Sequence, residues 1–185
     1  MLENNAITNT KDILIEYLRA FLKNPVNYLN ISNVDFSKTI IYDKEPTQLK
    51  SFPAILLTAI NGNYISSGIG DVTQEVVNDD GVVVAIRYSG MFELPVTIEI
   101  ASRTTKERDI LTDLISLTFR VLLKRQLESR GIIIKDMRFG GESEIQYDSD
   151  KVYISTLNFT TWSEWYRDIE LLPLVGIDID ADYKE

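Results

Sequence analysis

The chain has 185 residues, 44% of them apolar, with nine Tyr, seven Phe, two Trp and a formal net charge of −9. Such a length and composition exclude disorder as the general state and suit one domain that buries roughly 70% of its unfolded surface. The absence of Cys and His removes thiolate and imidazole catalysis and the usual zinc ligands, while the negative charge argues against gripping a phosphate backbone.

Residues 1–12 lack the basic start and apolar centre of a secretory leader, and no run of about 18 apolar residues occurs. A cytoplasmic protein that does not span a membrane is therefore expected. Ile13, Leu14, Tyr17, Leu18, Phe21 and Leu22 recur at helical spacing until Asn24-Pro25, predicting a helix from about 10 to 23, capped at Thr8 or Thr10. Residues 25–50 read as an irregular connector in which only Thr39–Tyr42 looks strand-like.

Ala54–Ile60 is apolar apart from Thr58 and predicts a strand covered on both faces, with Pro53 at its start and Asn61-Gly62 as the following turn. Tyr64–Asn78 reads as an extended, weakly patterned stretch, so residues 62–80 form a hairpin arm that Asp79-Asp80-Gly81 turns into a strand at Val82–Ile86. Ser89-Gly90 then separates that strand from the next, giving three consecutive strands in an antiparallel meander.

From Phe92 the pattern is clearest. Leu94, Val96, Ile98 and Ile100 alternate with Glu93, Thr97 and Glu99, the period of two of a half-buried strand. After the corner Ser102-Arg103-Thr104-Thr105, Thr104 and Glu107 have capping-box spacing. One long amphipathic helix follows, with Ile110, Leu114, Leu117 and Val121 as its stripe, Leu111, Ile115 and Leu122 beside them, and Gly131 as its stop. Ile132–Phe139 predicts a strand, Gly140-Gly141 a break, and Lys151–Trp165 a final strand. In the last strand Val152, Ile154 and Trp162 share one parity while Tyr153, Leu157, Phe159 and Trp165 share the other. Either a bulge re-phases it or both faces are covered. The fold class expected is α+β: a mainly antiparallel sheet with a long amphipathic helix and an amino-terminal helix packed on it. Residues 1–168 form the domain and 169–185 a carboxy-terminal extension.

Several groups invite a chemical reading. Asp178, Asp180 and Asp182 resemble the start of a calcium loop, but neither a Gly at the sixth position nor a closing Glu follows, so a solvated acidic tail is the default. Glu144, Asp148 and Asp150, beside Lys151, match the hard-oxygen ligands of a magnesium-dependent hydrolase, yet Asp148-Ser149-Asp150 is more simply a hairpin turn. Gly68-Ile69-Gly70-Asp71 lacks the third Gly of a dinucleotide loop and the Lys of a P-loop. Trp162, Trp165 and Tyr166 stand without nearby basic clustering, so core or subunit anchoring is preferred to base stacking. Arg120, Lys124, Arg125 and Arg130 end the long helix, where cations complement its dipole and offer a positive end to an acidic neighbour.

The order of elements over most of residues 10–166, and the strand-corner-helix unit Val96-Thr97-Ile98-Glu99-Ile100-Ala101-Ser102 followed by Asp109 and Asp113, resembles the tail-terminator proteins of long-tailed bacteriophages. Such proteins form a hexameric ring that ends tail-tube growth and joins the tail to the neck. The resemblance implies a structural virion protein with no catalytic residues, metal or cofactor. Its implied partners are further copies of itself, the tail-tube protein, neck or connector proteins and the tail sheath, with assembly in the host cytoplasm. A head-tail connector or tube protein is the alternative, and a carboxylate-metal hydrolase a more distant one.

A ring of this kind fits the charge, since an acidic channel passes DNA without adhesion. A cyclic ring also needs two different complementary surfaces. The interface candidates are Tyr64, Ile65, Ile69, Val72 and Val76 of the arm, Trp162 and Trp165, and Leu171, Leu172, Leu174 and Val175 of the greasy tail. Glu93, Thr97 and Glu99 are the channel-facing candidates.

Overall fold

The computed structural model describes residues 2–3, 6–23, 36, 38–42, 51–59, 61–65, 72–147 and 150–171. They form an α+β fold around a mainly antiparallel eight-stranded sheet. In chain order these are β1 (Leu2–Glu3), α1 (Ala6–Lys23), β2 (Ile40–Tyr42), β3 (Ala54–Ala59), β4 (Asn63–Ile65), β5 (Val72–Val77) and β6 (Val83–Ser102). There follow α2 (Thr105–Leu117), a π-helical turn (Thr118–Leu122), α3 (Lys124–Ser129), β7 (Ile132–Tyr147) and β8 (Asp150–Glu170).

Strands β6 and β8 are the spine. Their antiparallel ladder runs without a slip from Ser102 opposite Tyr153 to Ala85 opposite Glu170. On one side of the spine, β3, β4 and β5 all pair with β6, and β2 lies parallel to β3. On the other side, β7 pairs with β8, and β1 adds a short parallel pairing at Trp165 and Tyr166.

The alternating pattern from Phe92 is realised: Leu94, Val96, Ile98 and Ile100 are buried, and the pairing places Phe159, Leu157, Ile55 and Leu57 on the same face. Leu14, Leu18 and Phe21 of α1 and Leu111, Leu114 and Ile115 of α2 join that face in one core cluster. At β8 no bulge re-phases the β6 ladder. Ser155, Leu157, Phe159, Thr161 and Ser163 are all buried on the core-facing parity, while Val152 is buried on the opposite one.

Three expectations are corrected. First, Ser89-Gly90 does not separate two strands of a meander, because β6 passes straight through it. Gly90 is tolerated because Trp165 lies over it: a Cβ there would come 3.0 Å from the indole Nε1. Second, Gly140-Gly141 is not a break. Strand β7 continues to Tyr147 and absorbs its irregularity as register shifts between Lys135 and Arg138 and between Phe139 and Gly141, with Asp136 and Gly141 at positive φ.

Third, the long helix is not one α-helix, and only the first half of the expected stripe faces the core: Leu111, Leu114 and Ile115 are buried, whereas Leu117 and Val121 are not. The Thr118 hydroxyl donates to Leu114 O at 2.6 Å, and Leu123 N–H reaches back five residues to Thr118 O at 2.8 Å, which makes a π turn. The buried row is Leu111, Ile115, Phe119, Leu123 and Leu127, a strict spacing of four. In a regular α-helix such a row drifts about 40° at each step, and the wider π turn takes up the drift. Leu117, which ends α2, and Val121, within the π turn, lie off that row and are 37% and 62% exposed.

The start of α2 is capped differently in detail. Glu107 N–H donates to Thr104 Oγ1 at 3.2 Å, as a capping box requires. The return contact is made through Ser102, whose hydroxyl donates to the Glu107 carboxylate and accepts from Thr104 N–H at 3.3 Å. The stop is Gly131, at φ +75°, as expected.

Candidate interaction surface

Because β6 and β8 outrun the helical layer, their far halves form an arm with β5 at its edge. The turn at its tip is built by Asn78, whose side-chain oxygen accepts from Asp80 N–H at 3.1 Å and Val82 N–H at 2.9 Å, with Gly81 at φ +77°. Inside the arm Arg87 and Asp168 are cross-strand partners in a bidentate ion pair, at 2.7 and 2.8 Å, and the guanidinium lies 4.4 Å from the Tyr166 ring centroid. The hydrogen bond from Arg87 holds the Asp168 carboxyl below its ordinary range, against a smaller opposing effect of burial. Leu171 N–H donates to Val84 O at 2.9 Å, so the strand pairing reaches the end of the described residues.

The expected interface residues fall in three places. Tyr64 is 68% exposed and sits at the root of the arm, where its ring packs 4.8 Å from Phe92 and 5.2 Å, edge-on, from Trp165. Gly62 precedes it because a Cβ there would come 2.2 Å from Phe92 Cζ. Ile65 and Val76 are half-buried along β6, opposite Met91 and Ala85, and Val72 pairs through its backbone with Ser89. Leu171 is 45% exposed. Ile69, Leu172, Leu174 and Val175 lie outside the described residues, as do most of 25–50, the glycines at 68 and 70 and Asp178, Asp180 and Asp182.

Trp162 and Trp165 are not brought together, since three positions apart on one strand they point to opposite faces. Trp165 is on the helical side. Trp162 is on the polar side, opposite Glu93, to which its indole donates at 3.3 Å, and the Lys135 ammonium stands 3.1 Å from its ring centroid. The three channel-facing candidates share that polar face. Glu93, Thr97 and Glu99 are half-buried there, and Thr97 donates to Asn158 at 2.9 Å.

The carboxylates considered for metal binding have other partners. Glu144 pairs with Lys151 at 2.7 Å, a hydrogen bond and charge that raise the lysine's pKa, and Asp150 pairs with Arg103 at 3.2 Å. Asp148 lies outside the described residues. Among the described residues, no group of three or more His, Cys, Asp or Glu is placed to hold a metal, and no helix is long and apolar enough to cross a membrane.

Several features were not anticipated. Arg108 is buried, donating to Asp109 at 2.6 and 2.9 Å and meeting Glu142 at 2.7 Å. Burial works against its charge, but the two carboxylates outweigh it and raise its pKa. Its position three and four residues before Leu111 and Thr112 is the sequence signal that it shares the core side. Val77, Val82, Val84 and Ile169 at the arm tip are between 38% and 57% exposed, and Phe139 beside α2 is 56% exposed. No protein-family model matches the chain, and no curated protein matches it.

Proposed function

We propose that the chain is a structural virion protein, a tail-terminator or tail-completion subunit that assembles into a ring, caps the phage tail tube and joins it to the neck. The observation that supports this best is the arm: two paired strands carried beyond the helical layer, whose tip exposes Val77, Val82, Val84, Ile169 and Leu171 beside the acidic Asp79, Asp80 and Glu170. Apolar surface held out on a rigid ladder favours contact with another protein chain. In this reading the polar sheet face with Glu93, Thr97 and Glu99 turns toward the channel, and repeated negative charge lets DNA pass without adhering. The partners are further copies, the tail-tube protein, neck or connector proteins and the sheath, with assembly in the host cytoplasm.

Incubating the purified chain with tail tubes and viewing them by negative-stain electron microscopy tests this directly. Added density at one end of each tube is the expected result. Tubes left bare at both ends would overturn the reading.

A further inference from the structure

We infer that a second copy of this chain is what occupies the arm: the acidic arm tip of one molecule docks on the outer, basic side of the α2–α3 segment of the next. The inference rests on the ring reading for the existence of the assembly and goes beyond it by naming the two surfaces.

The tip is apolar and acidic. Val82, Ile169 and Leu171 are 57%, 50% and 45% exposed, and Asp79 and Asp80 in the turn and Glu170 in the ladder are exposed around them. From Val72 to Ile86 the chain has no Lys or Arg. The helical segment is apolar and basic. Leu117 and Val121 are 37% and 62% exposed, and Arg120, Lys124 and Arg125 stand exposed on the same stretch. Between Asp113 and Glu128 it has no Asp or Glu.

Among the described residues Asp79, Asp80, Glu170, Lys124 and Arg125 form no ion pair. In a chain of net charge −9 an uncompensated basic stretch is unusual, and its natural complement is the acidic tip. The apolar residues at the centre of each patch supply burial, and the charges around them supply orientation and encounter rate.

The two patches cannot meet within one molecule. Strand β7 starts, just after α3, with Ile132 opposite Ser163, and Ser163 is opposite Phe92. The tip lies beyond Val83, farther along β6 by on the order of 30 Å at ~3.3 Å per residue, while Leu117–Arg125 lie back toward the body. A contact of one patch with a different patch is heterologous, so an open chain of docked copies keeps one free surface of each kind, at its two ends, until a ring closes.

The test uses the full chain and sedimentation velocity across a concentration series, with two double variants, Asp79→Lys with Asp80→Lys and Lys124→Glu with Arg125→Glu. Neither removes a hydrogen bond of the turn or of the core, and thermal melts check that each is folded. Each variant alone is expected to need at least tenfold more protein for half-assembly. An equimolar mixture of the two, or the fourfold charge-swapped chain, is expected to recover most of it. Assembly of either double variant at wild-type concentrations, or failure of the mixture and the fourfold variant to recover, overturns the docking while leaving the ring reading standing. A wild-type chain that stays monomeric throughout, even with tail tubes present, overturns both.

Discussion

Gly90 stands directly opposite Trp165 in the β6–β8 ladder, with the indole covering the space a side chain at position 90 would take. This contact, extended by Tyr64 packing edge-on to Trp165, braces the root of the arm against the body. Trp165 Nε1 is buried without a hydrogen-bond partner, so the ring acts there through its shape and area. Gly90→Val is expected to destabilise by about 1–3 kcal/mol through overpacking. Trp165→Phe, which removes an unpaired donor as well as some area, is expected to stay within about 1 kcal/mol of wild type. Urea denaturation midpoints check both.

The π turn sets the phase of the helical segment and can be tested by contrast. Phe119→Ala or Leu123→Ala removes a buried side chain of the observed row and is expected to cost about 2–5 kcal/mol. Val121→Ser, on the stripe that simple periodicity assigns to the core, is expected to change stability by less than about 0.5 kcal/mol. Thermal melts of the three variants decide between the two phases.

Much of this fold was legible in the sequence, and the misses have physical causes. Leu94, Val96, Ile98 and Ile100 had to alternate because only one face of β6 is buried, and the Thr104 cap and Gly131 stop bracket the helical segment where their chemistry requires. The stripe was misjudged because Leu117 and Val121 fit a 3.6 period, whereas the row Leu111, Ile115, Phe119, Leu123 and Leu127 repeats strictly every four residues. That repeat was the available signal for a π turn. Gly90 and the Gly140–Gly141 pair were read as breaks because glycine punctuates local structure, but at 90 it is required by a long-range contact with Trp165, which no local window contains. Of the candidate site, Tyr64 and Trp165 were legible as interface candidates, and the structure packs their rings on each other. Val84 and Ile169 were not, because their exposure depends on how far β6 and β8 outrun the helices.

Arg108 is held by two carboxylates that are themselves about half exposed, so its loss strands no buried anion. Arg108→Ala is expected to cost about 1–3 kcal/mol through lost charge-assisted hydrogen bonds and packing. Arg108→Lys is expected to recover less than half, since a single ammonium cannot reproduce the forked geometry. Denaturation of both variants beside wild type measures the difference.

The arm should also loosen in acid. Asp168 is held below its ordinary pKa by Arg87, so it binds a proton less readily folded than unfolded. Its contribution is therefore complete above the ordinary aspartate value, about 3.9, and is lost as pH falls from there through the lowered folded value. Hydrogen-exchange protection around Arg87 and Asp168 is expected to drop over that window and to become insensitive to it in Asp168→Asn. Equal loss of protection in both proteins would show that the pair does not secure the arm.

We propose that this chain works by closing on copies of itself, and native mass spectrometry of the full chain, alone and with tail tubes, measures that most directly. A six-copy species, free in solution or released from tube ends, is the predicted result. A chain that remains monomeric or dimeric under both conditions would contradict it.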